Sequence, residues 1–266
     1  MTAPLRCVYV DLDGTLLGAN NSFLHDADAA FSLLGARALE ACARAGTEVV
    51  IYSGRRRSTL FHDARILGVR SYAFEAGAGF VLDGELHWLT GALKPSEGAS
   101  IFDRIEASGA PALLLERYAG RLEYHDPWHL DRDVSHLFRG SVDALDATAL
   151  LQEHGHEELR LIDNGSIGRD GMSAYHLVPA GVSKGRAVER HMRVRGLEPE
   201  ECIAVGDSRE DLTTAETVGT FWLVANALDR DPLLVGDLPR NARVAEAGHG
   251  PGVYEAVVTE LAERRG

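Results

Sequence analysis

The chain has 266 residues, of which 45% are hydrophobic and 25% charged, and a formal net charge of −13. That suits one large domain, or a core domain with a smaller partner. The acidic balance argues against general binding to nucleic acid or anionic membrane, and no apolar run approaches the roughly 18 residues of a membrane span. The first ten residues, "MTAPLRCVYV", lack a signal-peptide layout, because the first apolar stretch runs directly into acids. Cys7, Cys42 and Cys202 sit in apolar contexts without a neighbour at metal-ligand spacing, so buried thiols in a reducing cytoplasm are expected.

The first third alternates between strand and helix patterns. "CVYVDLDG" reads as a buried strand, "DADAAFSLLGARALEACARAG" as a helix stopped by Gly46, and "TEVVIYSGR" as a second buried strand. "RSTLFHDARILGV" reads as a second helix, and "SYAFEAGAGFVLDGELHW" as a strand followed by a hairpin around Asp83-Gly84. The middle is less uniformly apolar. Strands are expected at "PALLLERY", "GRLEYH", "LRLIDNG" and "SAYHLVP", with helices at "KPSEGASIFDRIEAS" and "VDALDATALLQEHG". Alternation then resumes: helix "SKGRAVERHMRVRG", strand "ECIAVGDS", helix "REDLTTAETVG", strand "TFWLVAN" and a last helix "GVYEAVVTELAERRG". The pattern predicts an α/β chain with a parallel sheet covered on both faces, residues 1–84 and 180–266, interrupted by an inserted α+β unit, residues 85–179.

Four polar motifs end predicted core strands or open the helix that follows, and in an open parallel sheet ligands bind at the carboxyl ends of the strands. The first is Asp11-Leu12-Asp13-Gly14-Thr15. Two carboxylates so close repel each other; a Mg²⁺ ion, which prefers hard oxygen ligands, would relieve that repulsion. The second is Ser53-Gly54-Arg55, which alone is as consistent with a turn. The third is "GVSKGRAV", where Lys184 sits in the first turn of a helix, a place the dipole disfavours unless it faces an anion. The fourth is "AVGDSREDL", with Asp207, Ser208 and Asp211; a helix cap by Asp207 or Ser208 can coexist there with metal binding.

Together, in this order and spacing, these residues resemble the four motifs of the haloacid dehalogenase superfamily of phosphohydrolases. The long insert between the second and third motifs resembles the cap of the Cof-type subfamily and its sugar-phosphatase relatives. "SAYHLVPAGVSKGRAV" and "GPGVYEAV" are similar to segments of mannosyl-3-phosphoglycerate and sucrose-phosphate phosphatases. The resemblance implies a Rossmann-like core and hydrolysis of a phosphate monoester. It implies Asp11 as nucleophile forming an aspartyl-phosphate, and Asp13 as acid to the leaving oxygen, then base to water. Mg²⁺ would be held by Asp11, the Asp13 carbonyl and Asp207, with Asp211 and Ser208 supporting it. Ser53 and Lys184 would grip the phosphoryl oxygens, where negative charge spreads in the transfer.

The same resemblance assigns choice of leaving group to the cap, with Arg117, His125, Arg160 and Arg169 as candidate contacts and Gly54 and Arg55 as nearer ones. Each cap arginine is equally readable as a solvated surface charge, and Trp88 and Trp128 as packing residues. Two positions depart from the Cof-type pattern: Ala76 replaces an asparagine, and Glu210 replaces another. The expected function is Mg²⁺-dependent hydrolysis of a small phosphorylated metabolite, a sugar phosphate, in the cytoplasm. Phosphomutase-type transfer and a non-catalytic sugar-phosphate sensor are the alternatives.

Overall fold

The structure is a computed structural model and describes residues 3–167 and 171–264. In chain order the first half contains β1 (Cys7–Asp11), α1 (Leu34–Ala45), β2 (Glu48–Tyr52), α2 (Arg57–Leu67), β3 (Ser71–Phe74), β4 (Gly79–Leu82) and β5 (Glu85–Trp88). The middle contains α3 (Ile101–Ala107), α4 (Ala110–Arg117), β6 (Leu122–Tyr124), β7 (His136–Gly140), α5 (Ala144–Glu153), β8 (Leu159–Ile167) and β9 (Met172–Pro179). The last part contains α6 (Lys184–Arg195), β10 (Cys202–Gly206), α7 (Arg209–Leu212), β11 (Thr220–Leu223), α8 (Asn226–Arg230), α9 (Leu234–Asp237), β12 (Ala242–Val244) and α10 (His249–Glu263).

The strands form an eight-stranded sheet, in the order β12-β11-β10-β1-β2-β3-β4-β5, and a four-stranded sheet, β6-β7-β9-β8. In the large sheet β12 through β3 run parallel, and β4 and β5 add an antiparallel hairpin at one edge. Alternation along β1 explains its double burial. Val8 and Val10 join the core beneath α1, α2 and α10, while Cys7 and Tyr9 join the core beneath α6. The small sheet is wholly antiparallel and packs a separate core against α3, α4 and α5. All three cysteines are buried and free. Among the described residues no helix is long and apolar enough to cross a membrane.

Three expectations are corrected. The break expected after Gly84 falls inside the β4–β5 hairpin: Glu85–Trp88 still pairs along β4, so the chain leaves the large sheet one strand later. The first helix begins at Leu34 rather than near Asp26. The Asp26 carboxylate accepts the N–H groups of Asp28 and Ala30, and Ala29 adopts φ 60°, which closes a turn instead of a helix. "PALLLERY" is helix α4, not a strand. Gly109 starts it at φ 81°, Pro111 sits in its first turn, and the buried positions Ala110, Leu114 and Tyr118 recur at intervals of four.

Candidate active site

β1 is central, and its neighbours β2 and β10 lie on opposite sides of it. Connections from these strands diverge there and open a crevice at their carboxyl ends. Asp11 is the last residue of β1, Ser53 follows β2, and Asp207 follows β10, so three of the four motifs meet by topology alone. Lys184 enters from the first turn of α6, which Ser183 caps by accepting the N–H of Arg186.

The centre is a buried charge cluster. The Lys184 ammonium donates to Asp11 Oδ1 at 2.8 Å and to Asp211 Oδ1 at 2.7 Å. The other oxygen of Asp211 accepts the N–H of Asp207, the N–H of Ser208 and the Ser208 hydroxyl. Ser208 is the cap of α7, and Asp211 completes a reciprocal capping box. Asp211 is therefore fully engaged as a positioning acid. Asp207 accepts the Thr15 hydroxyl at 3.1 Å and Arg230 at 2.9 Å. Gly14, at φ +90°, passes so near that a Cβ there would lie 2.2 Å from Asp207 Oδ2.

Asp11, Asp207 and Asp211 can bring one oxygen each within 4.8 Å of one another. Burial, countered by Lys184 but reinforced by Asp211 and Asp207, pushes the Asp11 carboxyl well above its usual range. Burial and the Asp211 charge push Asp207 up to about 7, against the pull of Arg230. Lys184 moves upward: desolvation alone would lower it, but Asp11 and Asp211 outweigh that. Buried acids short of positive charge, with hard oxygen donors, fit a divalent cation.

Asp13 points elsewhere. Arg55 holds it through two bonds, Nε to Oδ2 at 2.7 Å and Nη2 to Oδ1 at 2.6 Å, and reaches Asp63 with Nη1 at 2.8 Å. The Ser53 hydroxyl accepts the Arg55 N–H, and Ser53 is 1% exposed. These groups face a cavity of about 900 Å³ lined on the far side by His125, Trp128, Arg132, Asn164 and His176.

The structure brings the core motifs together and separates the cap candidates. Gly54, Arg55 and His125 line the cavity. Arg117 does not: it is exposed at the end of α4. Arg160 does not either; its guanidinium donates to the Val182 carbonyl and lies 3.9 Å from Glu210. Arg169 lies outside the described residues. Trp88 packs edge-on to Phe74, as expected, but Trp128 is exposed and faces the cavity. Glu210 neither joins the acid triad nor points to solvent. It is buried and accepts the Lys184 N–H at 3.0 Å, helping to seat the start of α6. Ala76 sits at φ 57° in the core of the small sheet, so no side chain from that position reaches the cavity.

Sequence reasoning missed Arg132, Asn164, His176 and Arg230. Arg132 is buried and donates to the Gly54 carbonyl at 2.6 Å, which ties the small sheet to the second motif. The clue was a histidine inside the apolar strand "SAYHLVP", where burial demands a partner.

Comparisons with known proteins identify the family. A family model described as haloacid dehalogenase-like hydrolase matches residues 121–230. A phosphoglycolate phosphatase of Halorubrum lacusprofundi is 30% identical over 234 residues, 85% of this chain and 86% of that one. The chain belongs to the haloacid dehalogenase superfamily. Its relatives place it on the phosphatase branch of that superfamily. A second phosphoglycolate phosphatase, from Methanoculleus marisnigri, is 35% identical, but the match spans 54% of this chain and 56% of the relative. Among solved haloacid dehalogenase folds, the sucrose-phosphatase of Synechocystis superimposes with a TM-score of 0.67 at 17% identity, over 97% of this chain and 98% of that one. A Thermoplasma acidophilum protein gives 0.63 at 20% identity, over 97% and 98%.

Proposed function

We propose that the protein is a Mg²⁺-dependent phosphatase of a small phosphorylated metabolite, a sugar phosphate, and that the small sheet is a cap over the catalytic core. The observation that carries this reading is Lys184 shared between Asp11 and Asp211 at the strand ends, facing the cavity.

Asp11 attacks phosphorus; the new O–P bond forms as the ester O–P bond breaks, and Asp13 gives its proton to the leaving alkoxide. Asp13, now a carboxylate, takes a proton from water as that water attacks the aspartyl-phosphate, and the Asp11–phosphorus bond breaks to release inorganic phosphate. Ser53 and Lys184 hold phosphoryl oxygens through both steps. Arg55 bonds Asp63 as well as Asp13, so it keeps a partner when Asp13 is protonated and bonded to substrate. Asp11 and Asp207, with the Asp13 carbonyl, would hold Mg²⁺, and Asp211 would position them. When bound, the ion neutralises charge on the transferring group.

The named activity of the curated relatives is toward phosphoglycolate, a two-carbon acid. A cavity of about 900 Å³ is large for it and suits a sugar-sized leaving group. The test is phosphate release from a panel of phosphorylated metabolites, with Mg²⁺ and with chelator, for the wild type and Asp11→Asn. Chelator-sensitive release that Asp11→Asn abolishes is expected. Panel compounds and a generic aryl phosphate that bind but stay intact would replace the enzyme reading with a sensor.

A further inference from the structure

The wall of the cavity opposite the acids contains a hydrogen-bond chain whose direction can be worked out. It begins at Glu75, fully buried, whose carboxylate can only accept. Its Oε2 lies 2.9 Å from the Ser135 hydroxyl, so Ser135 gives its single proton to Glu75. The Ser135 oxygen is then an acceptor for every other neighbour. Arg132 Nε donates to it at 2.9 Å, and His176 Nδ1 lies 3.1 Å away. Two acceptors cannot face each other at that distance, so Nδ1 carries a proton and donates it to Ser135.

Arg132 Nη2 also lies 3.5 Å from His176 Nδ1, which would favour the opposite tautomer. That contact is at the limit of a hydrogen bond, and Nη2 already has a 2.6 Å bond to the Gly54 carbonyl. The shorter, charge-assisted contacts decide the direction. Burial, then Arg132, Lys184 and His125, holds the His176 pKa well below its usual value, so the ring stays neutral.

We infer that His176 is a specificity residue whose Nε2 lone pair accepts a hydroxyl hydrogen from the leaving group of the substrate. Nε2 has no partner among the described residues. It points at the second motif: a Cβ on Gly54 would lie 2.8 Å from it. Asn164, on the neighbouring strand β8, brings its amide to the same place, 2.7 Å from that Cβ position. The atom it brings there is Nδ2, a donor, while its Oδ1 is turned inward and buried. A register shift between Asp163 and Ser166 is what turns this stretch of β8. An acceptor, His176 Nε2, beside a donor, Asn164 Nδ2, matches a hydroxyl group, which gives one hydrogen and accepts another. The Arg132 guanidinium does not compete for that hydroxyl, because it is committed to Ser135, Gly54 and Trp128 and lies 3.7 Å from Glu75.

The inference rests on the phosphatase reading for its ligand but not for its geometry, and two measurements separate them. The first is ¹⁵N-histidine NMR of the wild type at pH 7, with His176 assigned by His176→Gln. A protonated Nδ1 and bare Nε2 are expected; a proton on Nε2 would overturn the proposal, whether or not the protein turns over any ester. The second is a coupling measurement. The preferred ester from a panel of hexose phosphates, triose phosphates and phosphoglycolate is compared with its mono-deoxy analogues, in the wild type and in His176→Phe. One deoxy position should lower kcat/KM about tenfold in the wild type and less than about twofold in the variant. Equal penalties in both proteins, or phosphoglycolate as the preferred ester, would sink it. No turnover of any ester by the wild type would instead remove the phosphatase reading and leave the tautomer result standing.

Discussion

Exchanging Glu75 for glutamine tests how strongly one carboxylate joins the two sheets. Glu75 Oε2 accepts the Ser135 N–H at 2.6 Å, the Ser135 hydroxyl at 2.9 Å and the Val134 N–H at 3.1 Å; Oε1 accepts the Asp133 N–H at 2.8 Å. A glutamine amide accepts on one side only. With its carbonyl turned to the Oε2 donors, its NH₂ meets the Asp133 N–H, donor against donor. The surviving bonds lose their charge assistance, roughly 0.5 kcal/mol each, and the orphaned donor costs about 1–3 kcal/mol. The sum is about 2.5–4.5 kcal/mol, a large part of the stability of an ordinary domain. At roughly 2 °C per kcal/mol for a chain of this size, Tm falls by about 7 °C. Urea unfolding and amide exchange measured on Glu75→Gln check this, and the amides of Asp133, Val134 and Ser135 should lose protection together. A stability change below about 1 kcal/mol, with those amides as protected as in the wild type, would refute the idea that Glu75 anchors the small sheet.

Three further outcomes are expected. Asp207 has a folded pKa of about 7, above its unfolded value of about 4, so its stability contribution is fully present below pH 4 and is lost as pH rises to 7. In chelator, the Tm of the wild type relative to Asp207→Asn should fall across that window and recover with Mg²⁺; a difference that grows with pH would contradict it. Burial would raise the Glu48 carboxyl, but hydrogen bonds from His191, Arg195 and Ser71 pull it down to about 2. Glu48→Gln should cost about 1 kcal/mol, discounted for partial exposure, above pH 4.5, with the deficit vanishing as pH falls toward 2 in urea titrations. Gly14→Ala would drive a methyl into Asp207 and weaken Mg²⁺ binding by about 10–100-fold in calorimetric titration; unchanged affinity would show that Asp207 is not held by that close approach.

The large sheet and the core motifs were legible because buried parallel strands read as short apolar runs that end in polar residues. Asp11, Ser53, Lys184 and Asp207 sit at the ends of elements, where sequence reading is most direct. The cap was harder. "PALLLERY" alternates well enough for a strand, and its burial at intervals of four emerges only once α4 packs on α5. Arg117 and Arg160 show that residue type carries no direction: one reaches solvent and the other a backbone carbonyl. The histidine in "SAYHLVP" signals a buried partner, but that His176 and Asn164 meet at the cavity follows only from cross-strand register and the bend in β8, neither of which has a local sequence signal.

The insertion between β5 and α6 has a consequence for synthesis. Asp11 and Lys184 are 173 residues apart, so the lysine that neutralises Asp11 emerges long after it. At about 5–20 residues per second, the gap between them is roughly 10–35 s. During that interval β1 has its β2 neighbour available but not β10, and one edge of the nascent sheet is unpaired beside an Asp11 without its lysine, while Arg55 is already there to hold Asp13. A growing chain therefore holds Asp11 long before it holds Lys184, and the parallel pair β1–β10 that brings Asp207 beside them can close only after Cys202–Gly206 has been made.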